Sequence, residues 1–285
     1  MRWTLFVSLL ALGAPLAARA QIVGHAAIDA VAALPQCVMD GIGAQRWFFT
    51  HASVGGNLLE GLDDLRAADP ARYRLTPAWV GYDEPALRAE APPAPTVPGT
   101  VYECDRGNPS WQDKLAVFDN SVRLAGWRLA AVDVVMNKMC FIDQAASAAT
   151  YLASMDALAA SYPATVFVYT TMPLTVDEDA DNVLRNLYNR AVRLHCAASG
   201  ALLYDLADME AHDPAGGEHT FLSGGQTYQK LYAGYTSDGG HLDTDLGHRR
   251  LAQGWYAAAA TLAPCRAFAD GFESGDTGRW SAAVP

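Results

Sequence analysis

The sequence predicts an α/β fold, in which a parallel β-sheet carries helices on both faces. Short apolar segments rich in β-branched and aromatic residues alternate with helical segments of ten or more residues. Apolar runs of four to seven residues are typical of strands buried on both faces. Parallel neighbours need a crossover between them, and helices lie between the strand-like runs in this chain. We therefore expect one large domain built around the sheet.

The predicted elements follow one another in order. Strands are expected at residues 46–50, 78–80, 131–136, 165–171 and 201–204, and helices at 57–67, 112–125, 144–161, 179–198 and 246–262. The first helix, for example, repeats leucine at the spacing of one helical face, at Leu58, Leu59, Leu62 and Leu65. Residues 83–110 contain six prolines, which predicts a long loop with neither helix nor central strand. A loop of that length often forms the wall or lid of a site.

Both ends of the chain are expected to lie outside this domain. Residues 1–20 combine Arg2, an apolar run and a small-x-small end at Ala18 to Ala20, the pattern of a cleaved export signal. The run is too short to span a bilayer. The domain is therefore expected at 21–265, in a secreted or periplasmic protein. The Gly- and Asp-rich residues 266–285 are expected to form a tail outside the core.

Charge limits the partners that can be expected. After removal of residues 1–20 the chain carries 18 basic and 31 acidic residues, a net charge of −13. Nucleic acid is excluded as a partner, because binding it requires a basic surface. No further apolar stretch is long enough for a membrane span. The oligomeric state is left open.

Five cysteines remain after Ala20, and none lies in a C-x-x-C pair. In an oxidising compartment four of them are expected to form two disulfides. Cys140 follows a strongly apolar run, and it is predicted to be the buried free thiol. The other four are Cys37, Cys104, Cys196 and Cys265, and their connectivity is left open.

Ser53 is the candidate nucleophile. It lies in the turn between the first strand and the helix that follows, so its hydroxyl is expected at the carboxyl edge of the sheet, where ligands bind in such folds. The helix N-terminus behind it favours negative charge, and Gly55 and Gly56 keep the approach open. The alternative is that Ser53 only caps the helix. A phosphate loop is excluded, because the G-x-x-x-x-G-K-[ST] pattern is absent.

Asp238 and His241 provide the candidate base and the group that orients it. A serine hydroxyl becomes a good nucleophile when a histidine removes its proton and a carboxylate holds the other imidazole nitrogen. The D-G-G-H segment offers both groups from one loop before the last helix. His51 is the rival base, but it lacks a local carboxylate.

The same region offers a metal-binding alternative. Acidic and histidine side chains crowd it at Asp238, His241, Asp243, Asp245 and His248. The segment begins like a calcium loop but lacks the glutamate at the twelfth position. We therefore expect no metal and no cofactor, with Asp245 near the helix N-terminus and His248 on the helix surface.

Four motifs carry a resemblance to a known family. H-A-S-V-G-G-N, R-G-N-P-S-W-Q-D-K, V-V-M-N-K-M-C-F-I-D and Y-T-S-D-G-G-H-L-D, in this order, resemble a divergent branch of the SGNH (GDSL-like) hydrolase superfamily. The resemblance spans about residues 46–262. It implies a three-layer α/β/α sandwich whose parallel sheet has about five strands in flavodoxin-like order.

The resemblance also implies which groups bind the oxyanion. By position, Gly107 and Asn137 join the N–H of the serine as donors, and Asn108 is the alternative amide donor beside Gly107. The chain departs from the family where Ala52 precedes the serine in place of Asp, and where M-N-K-M replaces G-x-N-D. Lys138 is a further residue that could point into the site.

The expected activity is hydrolysis of a carboxylic ester through an acyl-enzyme on Ser53. Small esters and acylated glycans both fit an exported chain with aromatic residues near the predicted site loops, at Trp79, Trp111 and Tyr82. Core packing is the more usual role of such side chains. The alternative function is a binding module that retains the fold without the chemistry.

Overall fold

The structure is a computed structural model that describes residues 21–82, 92–124, 132–263 and 265. The predicted signal segment, 1–20, and the predicted tail, 266–285, lie outside the described residues. Within them the elements are the strands β1 Gln21–Val23, β2 Trp47–His51, β3 Thr76–Tyr82, β4 Thr100–Asp105, β5 Val134–Asn137, β6 Val166–Thr170, β7 Leu202–Tyr204, β8 Thr220–Ser223 and β9 Gln226–Gln229, and the helices α1 His25–Ile28, α2 Gln36–Ile42, α3 Val54–Ala68, α4 Trp111–Leu124, α5 Ala148–Ser161, α6 Ala180–Ser199, α7 Leu206–Ala211 and α8 Asp245–Ala260.

The predicted α/β/α sandwich is confirmed. The strands form one parallel sheet in the order β1-β7-β6-β5-β2-β4-β3. Its central five, β4-β2-β5-β6-β7, have the flavodoxin-like order 2-1-3-4-5. The sheet has seven strands where about five were expected, because β1 and β3 extend its two edges. Five helix predictions correspond to α3, α4, α5, α6 and α8.

The prediction for residues 83–110 is partly wrong. Thr100–Asp105 forms β4, which lies between β2 and β3 and pairs with both. The prolines of this stretch stand before and after β4, at positions 85, 92, 93, 95, 98 and 109, so they leave its ladder intact. The second strand of the flavodoxin-like order is therefore β4, and β3, the strand predicted at 78–80, lies at the edge.

Two apolar layers hold the sheet between the helices, because alternate residues of a strand face opposite sides. In β2, Trp47 and Phe49 join the layer beneath α3 and α8, whereas Phe48 joins the layer beneath α4, α5 and α6. Helices α3 and α8 approach closely at Gly61, where a Cβ atom would lie 2.1 Å from the carbonyl oxygen of His248. This contact sets α8, and the loop before it, against the helix that begins beside Ser53.

The cysteine prediction is correct for Cys140 and wrong for the second bridge. Cys37 and Cys265, 228 positions apart, form a disulfide that links α2 to the segment after α8. Cys140 is a buried thiol, as predicted. Cys196, which was expected to pair, is also a buried thiol in the α4–α6 layer, where burial raises its pKa to about 12. Within the described residues it serves as a small apolar side chain.

A two-stranded hairpin, β8–β9, follows α7 outside the main sheet. Gly224 and Gly225 both have positive φ, at 57° and 79°, as a two-residue hairpin turn requires. Among the described residues, no helix has the length and apolar character needed to cross a membrane.

Candidate active site

Ser53 lies two residues beyond the end of β2 and immediately before α3, as the sequence predicted. Its backbone has φ 56° and ψ −118°, and among the described residues it is the one non-glycine position with positive φ. Such a conformation costs on the order of 1–3 kcal/mol and persists where the surrounding structure enforces it. The strained turn between strand and helix presents the Ser53 hydroxyl at the carboxyl edge of the sheet.

The surrounding packing enforces this turn. A Cβ atom on Gly55 would lie 2.3 Å from the Cβ of His51, so only glycine lets α3 begin this close to β2. A Cβ on Gly56 would meet nothing within 4 Å, and this position therefore leaves open space beside Ser53. The side chain of Ser53 does not cap α3, which removes the capping role considered from the sequence.

His241 meets Ser53 across 188 positions of sequence. The Ser53 hydroxyl oxygen lies 2.5 Å from His241 Nε2. The His241 ring is held edge to face by Phe141, with 5.3 Å between ring centroids. On the other side, Asn57 Oδ1 accepts the backbone N–H of Leu242 at 3.2 Å, which ties the histidine loop to α3. Asn57 belongs to the H-A-S-V-G-G-N motif, but this positioning contact was not predicted.

Asp238 holds the other side of the same imidazole. His241 Nδ1 lies 2.5 Å from Asp238 Oδ2, while Asp238 Oδ1 accepts the backbone N–H groups of His241 and Gly240 at 2.8 and 2.9 Å. These hydrogen bonds, those from His241 first, hold the pKa of Asp238 well below its ordinary value. The loop can close in this way because Gly239 adopts φ 90°. Ser53, His241 and Asp238 therefore form one continuous chain of hydrogen bonds.

The other acidic and histidine residues of this region make hydrogen bonds and ion pairs of their own. Asp243 accepts the backbone N–H of Ser237 at 2.6 Å and also its hydroxyl, which closes the loop. Asp245 is exposed in the first turn of α8, and His248 lies 3.6 Å from Asp64 on α3. Among the described residues, the group with metal-ligand geometry lies elsewhere, beyond the carboxyl ends of β1 and β7.

Asn137 ends β5 next to the Ser53 turn. Its Oδ1 accepts the hydroxyl of Thr50 at 2.9 Å, and Thr50 is the residue paired with it on β2. Because the oxygen is held on that side, the amide nitrogen points away, and Nδ2 is buried with no hydrogen-bond partner. A buried amide donor without a partner has a free-energy cost, and it is typical of a group reserved for a ligand.

The other two expected oxyanion residues differ from Asn137. Gly107 follows β4 with φ 64°, as its role in a tight turn requires, but its N–H donates to Asp105 Oδ1 at 2.9 Å. Its hydrogen is therefore already engaged. Asn108 is exposed. Of the three candidates, Asn137 is the one whose donor is both buried and unengaged.

Two buried cations lie beneath the loops after β4 and β5. Arg106, which sequence reasoning missed, donates to the backbone carbonyl of Lys138 at 2.5 Å. Lys138, considered as a group that points into the site, is instead buried with its ammonium 3.8 Å from Cys140 Sγ. Burial lowers the pKa of both cations. Arg106 joins the Gly107 loop to the end of β5, and no sequence pattern distinguishes it from a surface arginine.

His51 has a carboxylate partner after all, supplied by the neighbouring strand. Its Nε2 lies 2.8 Å from Glu103 Oε2 on β4, while its Nδ1 is buried without a partner. Burial lowers the pKa of His51, against the opposing effect of Glu103. The sequence could not show this pair, because it depends on the alignment of β2 with β4.

A cavity of about 540 Å³ lies beside the Ser53 turn, between α3 and strands β3 and β4. Ser53 is not among its lining residues, but His51 and Gly56, which precede and follow it in the chain, are. Trp79 was expected to pack in the core, but it is 66% exposed and faces this space. Four carboxylates and several apolar groups complete the wall, which is formed by His51, Gly56, Leu59, Glu60, Asp63, Pro77, Trp79, Glu103 and Asp105.

Comparison with known proteins gives distant structural likenesses. No family model and no curated protein sequence matches the chain. A GDSL-like lipase from Bacteroides thetaiotaomicron aligns over 82% of this chain and 95% of its own, with 13% identity and a TM-score of 0.47. A catalytic mutant of an acetylxylan esterase from Geobacillus stearothermophilus aligns over 76% and 94%, with 12% identity and a TM-score of 0.42.

Proposed function

We propose that the protein is a serine esterase that hydrolyses carboxylic esters through an acyl-enzyme on Ser53. The observation that carries this proposal is the chain of two 2.5 Å contacts, from Ser53 Oγ to His241 Nε2 and from His241 Nδ1 to Asp238 Oδ2. This is the arrangement that makes a serine hydroxyl nucleophilic. The positive φ of Ser53 supports the same role, because strained residues cluster at active sites.

The chemistry follows from these contacts. As Ser53 Oγ attacks the ester carbonyl carbon, its proton passes to His241 Nε2, and negative charge develops on the carbonyl oxygen. Asp238 stabilises the imidazolium and keeps its Nδ1–H oriented. The leaving alkoxide takes the proton from Nε2 and departs as an alcohol. Water, deprotonated by His241, then attacks the acyl-enzyme and releases the carboxylic acid with Ser53 restored.

Asn137 Nδ2 is the donor that we assign to the developing oxyanion. It is buried, it lacks a partner, and it lies on the strand next to the Ser53 turn. The N-terminus of α3 adds the favourable field of the helix dipole. A prearranged donor of this kind is worth on the order of 10²–10³ in kcat.

The cavity beside Ser53 favours a polar leaving group, such as a sugar hydroxyl, over a long hydrocarbon chain. Four carboxylates in its wall can accept hydrogen bonds from hydroxyls, and the exposed ring of Trp79 offers a flat face for stacking. The same carboxylates repel anions. We therefore propose acylated neutral glycans or small polyol esters as substrates, met outside the cytoplasm after cleavage at Ala20.

A fluorophosphonate probe tests the nucleophile. The wild-type chain is expected to take up one probe per molecule, and Ser53→Ala none, because the probe reacts with an activated serine. Ser223→Ala, which changes an exposed serine on the hairpin, is the matched control and should label like wild type. Equal labelling of the Ser53→Ala chain would refute the proposal, and absence of labelling in all three would favour a binding module.

A substrate panel tests the cavity. Acetyl esters of neutral sugars should be hydrolysed with a lower KM than acetyl esters of uronic acids, since the carboxylates repel an anionic ring. Trp79→Ala should raise KM for the sugar esters and leave p-nitrophenyl acetate nearly unaffected. An equal rise for both substrates would mean that Trp79 supports the fold rather than the leaving group.

A further inference from the structure

Three side chains outside the proposed active site converge at the carboxyl ends of strands β1 and β7. His25 lies two residues beyond the end of β1, at the start of α1. Asp208 lies on α7 and His212 at its C-terminal end, four positions later, so the two share one face of the helix. The proposed chemistry uses none of them. Strands β5 and β6 lie between β7, which precedes α7, and β2, which precedes Ser53.

Both imidazoles approach the same carboxylate. His25 Nδ1 lies 2.7 Å from Asp208 Oδ2, and His212 Nδ1 lies 3.5 Å from Asp208 Oδ1. The two rings stack almost in parallel, with 3.4 Å between centroids and 12° between planes. Histidine binds metals through a ring nitrogen that carries no proton, and here the Nδ1 atoms of both rings face the Asp208 carboxylate.

The backbone around Asp208 is built for a close approach. The N–H of His25 donates to Asp208 Oδ2 at 2.8 Å, and His212 Nδ1 also lies 2.7 Å from the carbonyl oxygen of Asp208. A Cβ atom on Gly24 would lie 2.3 Å from Oδ2, so this position must be glycine for the carboxylate to fit. His212 is buried, while His25 and Asp208 are partly exposed, which leaves the cluster accessible to an ion from solvent.

We propose that His25, Asp208 and His212 bind one divalent transition-metal ion of the zinc type. Two imidazole nitrogens and a carboxylate form a common ligand set for zinc, with water as the fourth ligand. Zinc–ligand bonds of about 2.0–2.2 Å in a tetrahedron separate ligand atoms by roughly 3.3 Å. The Nδ1 atoms of His25 and His212 lie 2.7 and 3.5 Å from the two Asp208 oxygens, and the three ligand atoms lie within 4.8 Å of one another. Turning the two stacked rings toward the carboxylate would let the three groups bind one ion.

The ion would replace hydrogen bonds that the metal-free cluster makes. Each imidazole binds through Nδ1 with its proton on Nε2, and Asp208 remains the anion that offsets the charge of the ion. The effect would be structural, because the ligands join α7 to the start of α1, two residues beyond edge strand β1. The ion would thus fasten the start of the described chain to the sheet, independently of the ester chemistry.

Zinc binding by the metal-stripped full chain tests the proposal. With a chain free of any polyhistidine tag, calorimetry with ZnCl₂ should give one site per molecule. At zinc about a hundredfold above Kd, the melting midpoint should rise by roughly 5–10 °C. Loss of one ligand in His25→Gln or His212→Gln should weaken Kd more than about tenfold and remove most of that rise.

Two control variants distinguish this site from other histidine–aspartate pairs. His219→Gln changes a partly exposed histidine whose Nε2 lies 3.2 Å from Asp213, and His241→Ala removes the histidine beside Ser53. Both should bind zinc like wild type. The proposal is overturned if wild type binds no zinc, if His25→Gln and His212→Gln bind it unchanged, or if His241→Ala alone abolishes binding. Because His25 is partly exposed, His25→Gln remains informative even where His212→Gln fails to fold.

Discussion

Two histidine–carboxylate pairs flank Ser53, and they differ in almost every physical respect. His241 and Asp238 lie three positions apart on a glycine-containing loop, with side chains 36% and 49% exposed. His51 and Glu103 come from neighbouring strands 52 positions apart, with side chains 4% and 15% exposed. The imidazole–carboxylate distances are 2.5 and 2.8 Å, so distance alone does not distinguish the pairs.

What distinguishes them is where the remaining imidazole nitrogen points. His241 Nε2 faces Ser53 Oγ, whereas His51 Nδ1 is buried without a partner beneath the start of α3. A general base must reach the proton that it removes and must be able to carry the positive charge afterwards. Burial lowers the pKa of His51 and so opposes that charge. We infer that the loop pair performs chemistry and the strand pair supports the turn above it.

The largest expected loss of kcat therefore follows from changing Ser53 or His241. Ser53→Ala and His241→Ala should each lower kcat for an activated ester by roughly 10⁴–10⁶, and the double variant should be little worse than either, because the two groups act as a unit. His51→Gln, which can keep a hydrogen bond to Glu103, should lose at most about tenfold. Initial rates, with circular dichroism to verify folding, check all four chains.

The comparison would be reversed by one pattern of rates. If His241→Ala kept near-wild-type kcat while His51→Gln was inactive, the strand histidine would be the base and the D-G-G-H segment only a loop before α8. If the Ser53 and His241 losses simply multiplied in the double variant, the two residues would act independently, and the hydrogen bond between them would not be catalytic.

The next largest effect on kcat should distinguish the two carboxylates, Asp238 and Glu103. Asp238→Asn should lower kcat by about 10²–10⁴, because the orienting group is lost while the base remains. Glu103→Gln should cost less than about tenfold in kcat, since Glu103 contacts His51 and not the histidine that faces Ser53. Steady-state kinetics at a fixed pH measure both. Equal losses would mean that the strand pair also acts on the proton transfer.

The sequence was sufficient for the fold where signals were local. Apolar runs and helical leucine spacing located β2, β5, β6 and β7 and five helices to within a few residues. Strand β4 was not predicted, because prolines flank it closely on both sides. The high proline content of residues 83–110 therefore concealed the six residues of this strand. Strand β1 has three residues, too few for any periodicity, and it exists because β7 offers it an edge.

Within the candidate site, too, local features could be predicted and contacts between strands could not. The meeting of Ser53, Asp238 and His241 could be predicted, because a strand-to-helix turn and a D-x-x-H segment are local features; their catalytic role stays a prediction. The partnership of His51 with Glu103, the free amide of Asn137 and the buried Arg106 depend on which strands become neighbours. The second disulfide was wrong for a related reason, since the spacing of cysteines along the chain does not reveal that Cys196 faces an apolar layer.

A smaller effect on kcat should distinguish the two candidate oxyanion donors, Asn137 and Asn108. Asn137→Ala should lower kcat by roughly 10²–10³ with little change in KM, the usual cost of one lost donor. Asn108→Ala is the matched control, because it removes an exposed amide from the neighbouring loop and should stay within a few-fold of wild type. The opposite ranking would transfer the donor role to Asn108 and leave Asn137 as the partner of Thr50.

The smallest effect concerns stability, and it tests the strand pair directly. Because burial lowers the pKa of folded His51, the unfolded chain takes up a proton first as pH falls below about 6.5. The contribution of His51 to the free energy of unfolding should therefore be complete above pH 6.5 and decrease on acidification, by at most about 1.4 kcal/mol per pH unit. Urea unfolding of wild type and His51→Gln between pH 5 and pH 8 measures it, and the advantage of wild type should shrink toward pH 5. If the stability advantage of wild type over His51→Gln instead grew on acidification, folded His51 would be an imidazolium paired with Glu103. The two histidine–carboxylate pairs would then not differ in the charge of the histidine.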